Sequence, residues 1–175
     1  MKNLGTPPAA PSRRAPRTLL ALAALLLSVQ VAAAEGHHSG WSINFTPVLI
    51  LPSGGYRLGW GVDPELKYTL DLGEARFSAG GRVGVSHAKN QLGVTVMPTL
   101  RLTVPIGRVE PYASAGLGYG WLPEAGRDGV ATMGRLGLVY RFSERLAIGL
   151  EGTLQRIDGS RHQFRSLGSM ISFDL

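Results

Sequence analysis

Three ionisable side chains stand at alternate positions of one stretch: Asp63, Glu65 and Lys67. At that spacing they project from the same side of an extended strand. Arg76, Arg82, Arg101, Glu110, Arg135, Arg141, Glu151 and Asp174 hold equivalent positions further along, so five acids face six bases. A set so nearly balanced suits cross-strand ion pairs that fill a confined interior, or the lining of a narrow charged pore. Nucleophilic and metal chemistry have little to work with. The only His-x-Ser is His37-His38-Ser39, and the chain has no cysteine. A serine nucleophile needs an imidazole base, itself oriented by an acid. His87 and His162 follow Ser86 and Arg161 at the wrong spacing for that. Two adjacent imidazoles without further ligands make a weak metal site. No phosphate-binding glycine loop, zinc motif or nucleic-acid patch occurs. No catalytic residue, metal ligand or cofactor is expected.

The elements that must position these charges are strands. From Leu58 to Leu70 the residues Leu58, Trp60, Val62, Pro64, Leu66, Tyr68 and Leu70 alternate with Gly59, Gly61, Asp63, Glu65, Lys67 and Thr69. This period of two marks a strand with one apolar and one polar face, and the pattern repeats. Strands are expected over 41–51, 58–70, 75–86, 91–104, 109–121, 130–142, 146–155 and 164–175. The turns at 71–74, 105–108 and 143–145 are short, and the other connections run to about four to eight residues, as in barrels with short periplasmic turns and longer outer loops. If the first short turn sets the register, Asp63 lies opposite Arg82; Arg101 is then diagonal to Glu110, and Arg135 to Glu151. Pro47, Pro64, Pro98 and Pro111 fall inside strands, where each removes a ladder donor, so bulges or local register shifts are expected there.

The N-terminus carries a targeting signal. Arg13, Arg14 and Arg17 precede an apolar run from Leu19 to Val31 that ends in Ala32-Ala33-Ala34. That order reads as a cleavable signal peptide over 1–34, followed by a flexible periplasmic lead-in over 35–40 and a barrel over 41–175. Four of the 18 basic residues lie in the signal and no acid does, which leaves 14 basic against 12 acidic side chains in the mature part. The high pI of the precursor is therefore no argument for nucleic acid. An exported chain without cysteine must be held together by its core or by lipid.

Alternation alone does not say which face meets the surroundings. On the expected strand boundaries, the apolar face of the first seven strands carries no Asp, Glu, Lys or Arg. Contact with lipid requires such exclusion. Aromatics gather at the strand ends: Trp41, Tyr68, Tyr140, Phe142 and Phe173 towards the short turns, Tyr56, Trp60, Tyr119, Trp121 and Phe164 towards the loops. Two such girdles are what amphipathic rings form at the two lipid–water boundaries. The soluble alternative is a lipocalin-like periplasmic carrier, its apolar face turned inward.

The whole mature pattern resembles the small outer-membrane β-barrel proteins of Gram-negative bacteria, the eight-stranded, porin-like kind represented by OmpX and the barrel domain of OmpA. The stretch Ser166-Leu-Gly-Ser-Met-Ile-Ser-Phe-Asp-Leu175 is similar to the C-terminal signal that the barrel-assembly machinery reads, with Phe173 and Leu175 where family members usually end in Phe. The resemblance implies an all-β, eight-stranded antiparallel up-and-down transmembrane barrel in the cell outer membrane. It implies outer-membrane lipids, lipopolysaccharide, periplasmic chaperones and the assembly machinery as partners, and a monomer that binds no nucleic acid. A structural or interaction role at the cell envelope is expected, the lumen closed by ion pairs. The alternatives are a small-solute pore and a lipid A-modifying enzyme; the lipid A deacylases would call for His-x-Ser on a strand, whereas His37-His38-Ser39 lies in the lead-in.

Overall fold

The structure, a computed structural model, describes residues 39–51, 58–88, 91–123, 126–158 and 163–175. The expected signal peptide, residues 35–38 of the lead-in and Tyr56 lie outside these residues. Eight strands follow in order: β1 (Gly40–Leu51), β2 (Gly59–Asp71), β3 (Arg76–Ala88), β4 (Gln91–Thr103), β5 (Val109–Leu122), β6 (Arg127–Arg141), β7 (Leu146–Ile157) and β8 (Gln163–Asp174). Each pairs antiparallel with the next, and β8 pairs with β1 to close the barrel. Closure leaves no open edge on which backbone donors and acceptors would go unpaired.

The expected period of two runs through every strand, and its sense is inverted relative to a soluble protein. Leu136 and Leu150 are 69% and 71% exposed, while their sequence neighbours Arg135 and Glu151 are 3% exposed. Asn44 and Thr46 are fully buried between the exposed Ile43, Phe45 and Leu49. Apolar side chains point out and polar ones point in, the reverse of what a soluble lipocalin-like carrier needs and the distribution of a transmembrane barrel.

The prolines disturb the ladder without moving it. No bulge interrupts any strand pair; the register is constant along all eight seams. In an antiparallel strand the N–H and C=O of one residue point to the same neighbour, so a proline weakens one seam only. Pro47 pairs with Val62 of β2, and the ladder to β8 is broken beside it. Pro64 pairs with Phe45 and the break is towards β3; Pro98 pairs with Gly81 and the break is towards β5. Pro111 pairs with Leu138 of β6, and its carbonyl still accepts a hydrogen bond from the Val104 N–H at 3.0 Å. The expected register shifts do not occur because the flanking pairs hold each strand in place.

The turns differ from expectation in a way that matters for the charges. Asp71 pairs with Arg76, so the first turn spans 72–75; Gly73 takes a positive φ of 83° and its N–H donates to Asp71 Oδ1 at 2.9 Å. The second turn tightens to Gly107 and Arg108, because Ile106 bridges Val109. Each change slides one strand two residues along its partner. The faces survive and the cross-strand partners change. At the loop end β6 starts three residues earlier than expected and β7 runs two residues further. This brings Asp128 and Arg156 onto the outward face, which is thus not free of charge at its rim.

Leu136→Arg turns a guanidinium towards hydrocarbon and is expected to cost about 2–4 kcal/mol if near the midplane. The urea midpoint of the barrel refolded into lipid vesicles will fall accordingly, while Leu72→Arg, at an exposed turn, will leave it within about 0.5 kcal/mol of the parent.

Candidate functional site: the charged interior

The polar faces of eight strands enclose an interior just wide enough for their side chains. Three zones follow one another along it. At its centre the Glu65 carboxylate of β2 accepts hydrogen bonds from Asn44 Nδ2 at 3.0 Å, Thr99 Oγ1 at 2.6 Å and Arg101 Nη2 at 2.8 Å. Arg135 Nη1 lies 3.5 Å from the same carboxylate and 3.2 Å from Glu151 Oε2. Arg82 pairs with Asp63. The Tyr112 hydroxyl donates to Glu151, and the Arg101 guanidinium lies 4.1 Å above the Tyr112 ring. Three carboxylates and three guanidiniums therefore neutralise one another in a space with almost no access to solvent. Burial makes each attraction stronger, and makes an uncompensated charge expensive.

Towards the short turns the interior opens into a cavity of about 520 Å³. Arg76 bridges Asp71 at 3.1 Å and Glu110 at 2.7 Å. Arg141 holds Glu110 at 2.8 Å and Asp174 at 2.5 Å. Lys67 also lines this cavity and makes no ion pair among the described residues. Towards the loops the filling is apolar: Met97, Leu122, Ala131, Met133 and Ile157 form a buried cluster, with Phe164 against it.

Two of the expected pairings need correction. Asp63 lies level with Gly84, and Glu65, not Asp63, is opposite Arg82. Asp63 and Arg82 still meet, by reaching diagonally. Arg101 is opposite Ser114 and is not diagonal to Glu110; it bonds Glu65 instead, and Glu110 takes Arg76 and Arg141. Arg135 is opposite Thr153 and diagonal to Glu151. The Arg101–Glu65 pair skips a strand: β3 turns only Ser78 and Gly80 inward between the level of Arg101 and Arg82, the residue opposite Glu65. Gly84 further along likewise leaves room between β2 and β4. A Cβ on Gly84 would come within 2.7 Å of both Asp63 Oδ1 and Thr95 Oγ1. The same device recurs at Gly137, which lies opposite both Tyr112 and Glu151 and lets them meet across β6. Asn44, Thr99 and Tyr112 complete the network; their inward parity is available in the sequence, and their partners are not.

The aromatic residues pair at both ends. Trp41 meets Tyr68 edge to face at 5.2 Å and Tyr140 meets Phe142 at 4.9 Å at the turn end, where Phe173 is also exposed. Tyr119 meets Trp121 at 4.9 Å at the loop end, and Trp60 lies 6.1 Å from His87. Phe164 does not belong to the outer girdle. It shares the parity of the inward Gly168 and Met170, and it packs on the interior cluster.

No protein-family model matches this sequence, and no curated protein is detectably similar to it. Solved structures are. Neisserial surface protein A (NspA) superposes with a TM-score of 0.56 at 11% identity, over 81% of this chain and 100% of that one. The N-terminal β-barrel domain of Pseudomonas aeruginosa OprF gives 0.55 at 16% identity, over 81% and 100%. The outer membrane enzyme PagL gives 0.51 at 11% identity, over 75% and 99%. The fold is that of the small eight-stranded outer-membrane barrels.

Two substitutions test the interior. Glu65→Gln leaves Arg101 and Arg135 short of a counter-charge and is expected to lower unfolding free energy by about 3–5 kcal/mol. Gly137→Ala drives a methyl into the Tyr112 ring, 2.5 Å away, for a loss of about 1–3 kcal/mol. Gly134→Ala, three residues earlier and facing outward into open space, will be neutral or mildly stabilising. Tryptophan fluorescence during denaturant unfolding separates the three.

Proposed function

We propose that this chain is an integral protein of the outer membrane, exported through its N-terminal signal and inserted as a monomer, with a structural or interaction role at the cell envelope. The observation that carries the reading is the pairing of an apolar exterior with an interior of mutually neutralised charges. An exterior of leucine, isoleucine and aromatic rings is stable only against lipid. The central ion pairs and the apolar cluster above them close the lumen, and the cavity at the turn end is a vestibule, not a passage. The reading is non-catalytic: His87 leans on Trp60 on the outward face, away from the interior acids. Biogenesis runs through periplasmic chaperones and the barrel-assembly machinery, the latter reading the β8 terminus, where Phe173 points outward. Outer-membrane lipids and lipopolysaccharide are the standing partners.

The first test is gel mobility from a membrane fraction with and without boiling in SDS. A shift on boiling is the expected result, and an unshifted protein that dissolves in buffer would overturn the membrane placement. Planar-bilayer current is then expected to stay at baseline; resolved conductance steps would replace the closed lumen with the pore.

A further inference from the structure

The outward face carries few charges among the described residues, all near the loop end. Asp128 receives the Tyr119 hydroxyl. Asp158, just beyond β7, is a second acid, and two cations stand on neighbouring strands: Arg156 of β7 and Arg165 of β8. Arg165 is opposite Leu154, and Arg156 is opposite Gln163, so the two arginines are diagonal neighbours. At such a spacing the Cα atoms stand about 7–8 Å apart, within reach of two long side chains. Arg156 has one weak partner, Asp158, at 3.5 Å, with both side chains more than half exposed. Arg165 has no acidic partner among the described residues. Asp158 offsets one of these two guanidiniums in part, and Arg165 is left to find its anion at the level of the headgroups.

A second observation lies below them on the same strands. An outward groove of about 500 Å³ runs between Leu136, Leu138, Leu150 and Leu167, with Gly152 at its floor. Gly152 is opposite Leu136 on one side and Leu167 on the other. A Cβ there would meet only Leu167 Cδ2, at an ordinary 3.9 Å. Nothing within the barrel calls for a glycine at this position; its missing side chain makes room on the outside. Gly152 is four residues from Arg156, about 13 Å along the strand at roughly 3.3 Å per residue. With a strand tilt near 40–45° that is about 10 Å of depth, less than half of the ~25 Å apolar band.

We propose that Arg156, Arg165 and the Gly152 groove form a binding site for one phosphorylated glycolipid of the outer leaflet, the phosphomonoester between the two guanidiniums and an acyl chain over Gly152. The inference rests on the membrane placement above. A phosphomonoester carries close to two negative charges and three acceptor oxygens, which two guanidiniums match. The phosphodiester of a glycerophospholipid carries one charge and matches less well. A second copy of the chain is the poorer occupant, since a symmetric contact would bring four cations together.

Native mass spectrometry of the full folded barrel in detergent tests this, with lipid A bearing its phosphates, the same lipid A dephosphorylated, and phosphatidylglycerol as probes, and inorganic phosphate as competitor. The expected result is a single lipid A adduct, bound at least about tenfold more tightly than either other lipid and not displaced by inorganic phosphate. Arg156→Ala/Arg165→Ala should abolish the preference for phosphate. Gly152→Leu, which fills the groove, should weaken phosphorylated and dephosphorylated lipid A alike. Equal binding of the three lipids to the unaltered protein, displacement by inorganic phosphate, or an adduct with the mass of a second chain would each overturn the proposal, whatever the variants do. Boiling-dependent mobility keeps the two readings apart. A barrel that shifts but shows no preference loses this site alone, and one that never shifts loses the membrane placement as well.

Discussion

Hydrocarbon offers no hydrogen bonds, and that constraint governs the molecule. Every backbone N–H and C=O at membrane depth must find a partner within the chain, so the strands must pair on both sides and the sheet must close. Closure on eight strands leaves an interior only one side chain deep. The outer surface is then committed to apolar residues, and every polar group the strands carry has to be accommodated within the same narrow cylinder.

The interior answers this by pairing its charges, all but Lys67 among the described residues, and by spacing. Glu65 is the hub: Asn44, Thr99, Arg101 and Arg135 converge on it from β1, β4 and β6. Thr99 and Arg101 reach it across β3, which turns only Gly80 and Ser78 inward at their level. Gly84, Gly116 and Gly137 each lie where the side chains of the two flanking strands meet. Glycine is poor in strands on conformational grounds, and at these positions its value is the volume it does not occupy. Arginine is suited to the remaining task, since its planar fork bonds several acceptors at once and stays charged when buried.

Much of this architecture is legible in the amino-acid sequence. The period of two assigns nearly every side chain to a face, and the lengths of the connections distinguish the two ends. What the sequence leaves hidden has a common origin. Sliding a strand by two residues keeps every face unchanged, so the hydrophobic pattern cannot tell whether Asp63 or Glu65 lies opposite Arg82; only turn geometry at Gly73 and Gly107 decides. Arg135 and Glu151 are diagonal on adjacent strands, and a hairpin argument finds them. Arg101 and Glu65 are two strands apart, and no hairpin argument can. Phe164 is misplaced for a simpler reason: its aromatic character points to a girdle, and its parity points inward.

The break beside Pro47 has a mechanical meaning. It falls in the β1–β8 seam, the junction that joins the two ends of the chain. On either side of it the seam is a short zipper, one from Ser42 to Phe45 and another from Val48 to Leu51. A continuous zipper in hydrocarbon tears only from its ends, since a bond lost there without replacement forfeits about 4–6 kcal/mol. An interrupted one can also part from the middle. The cylinder is therefore notched along the one seam that no covalent connection joins, while a connection of the chain stiffens each of the other seven at one end.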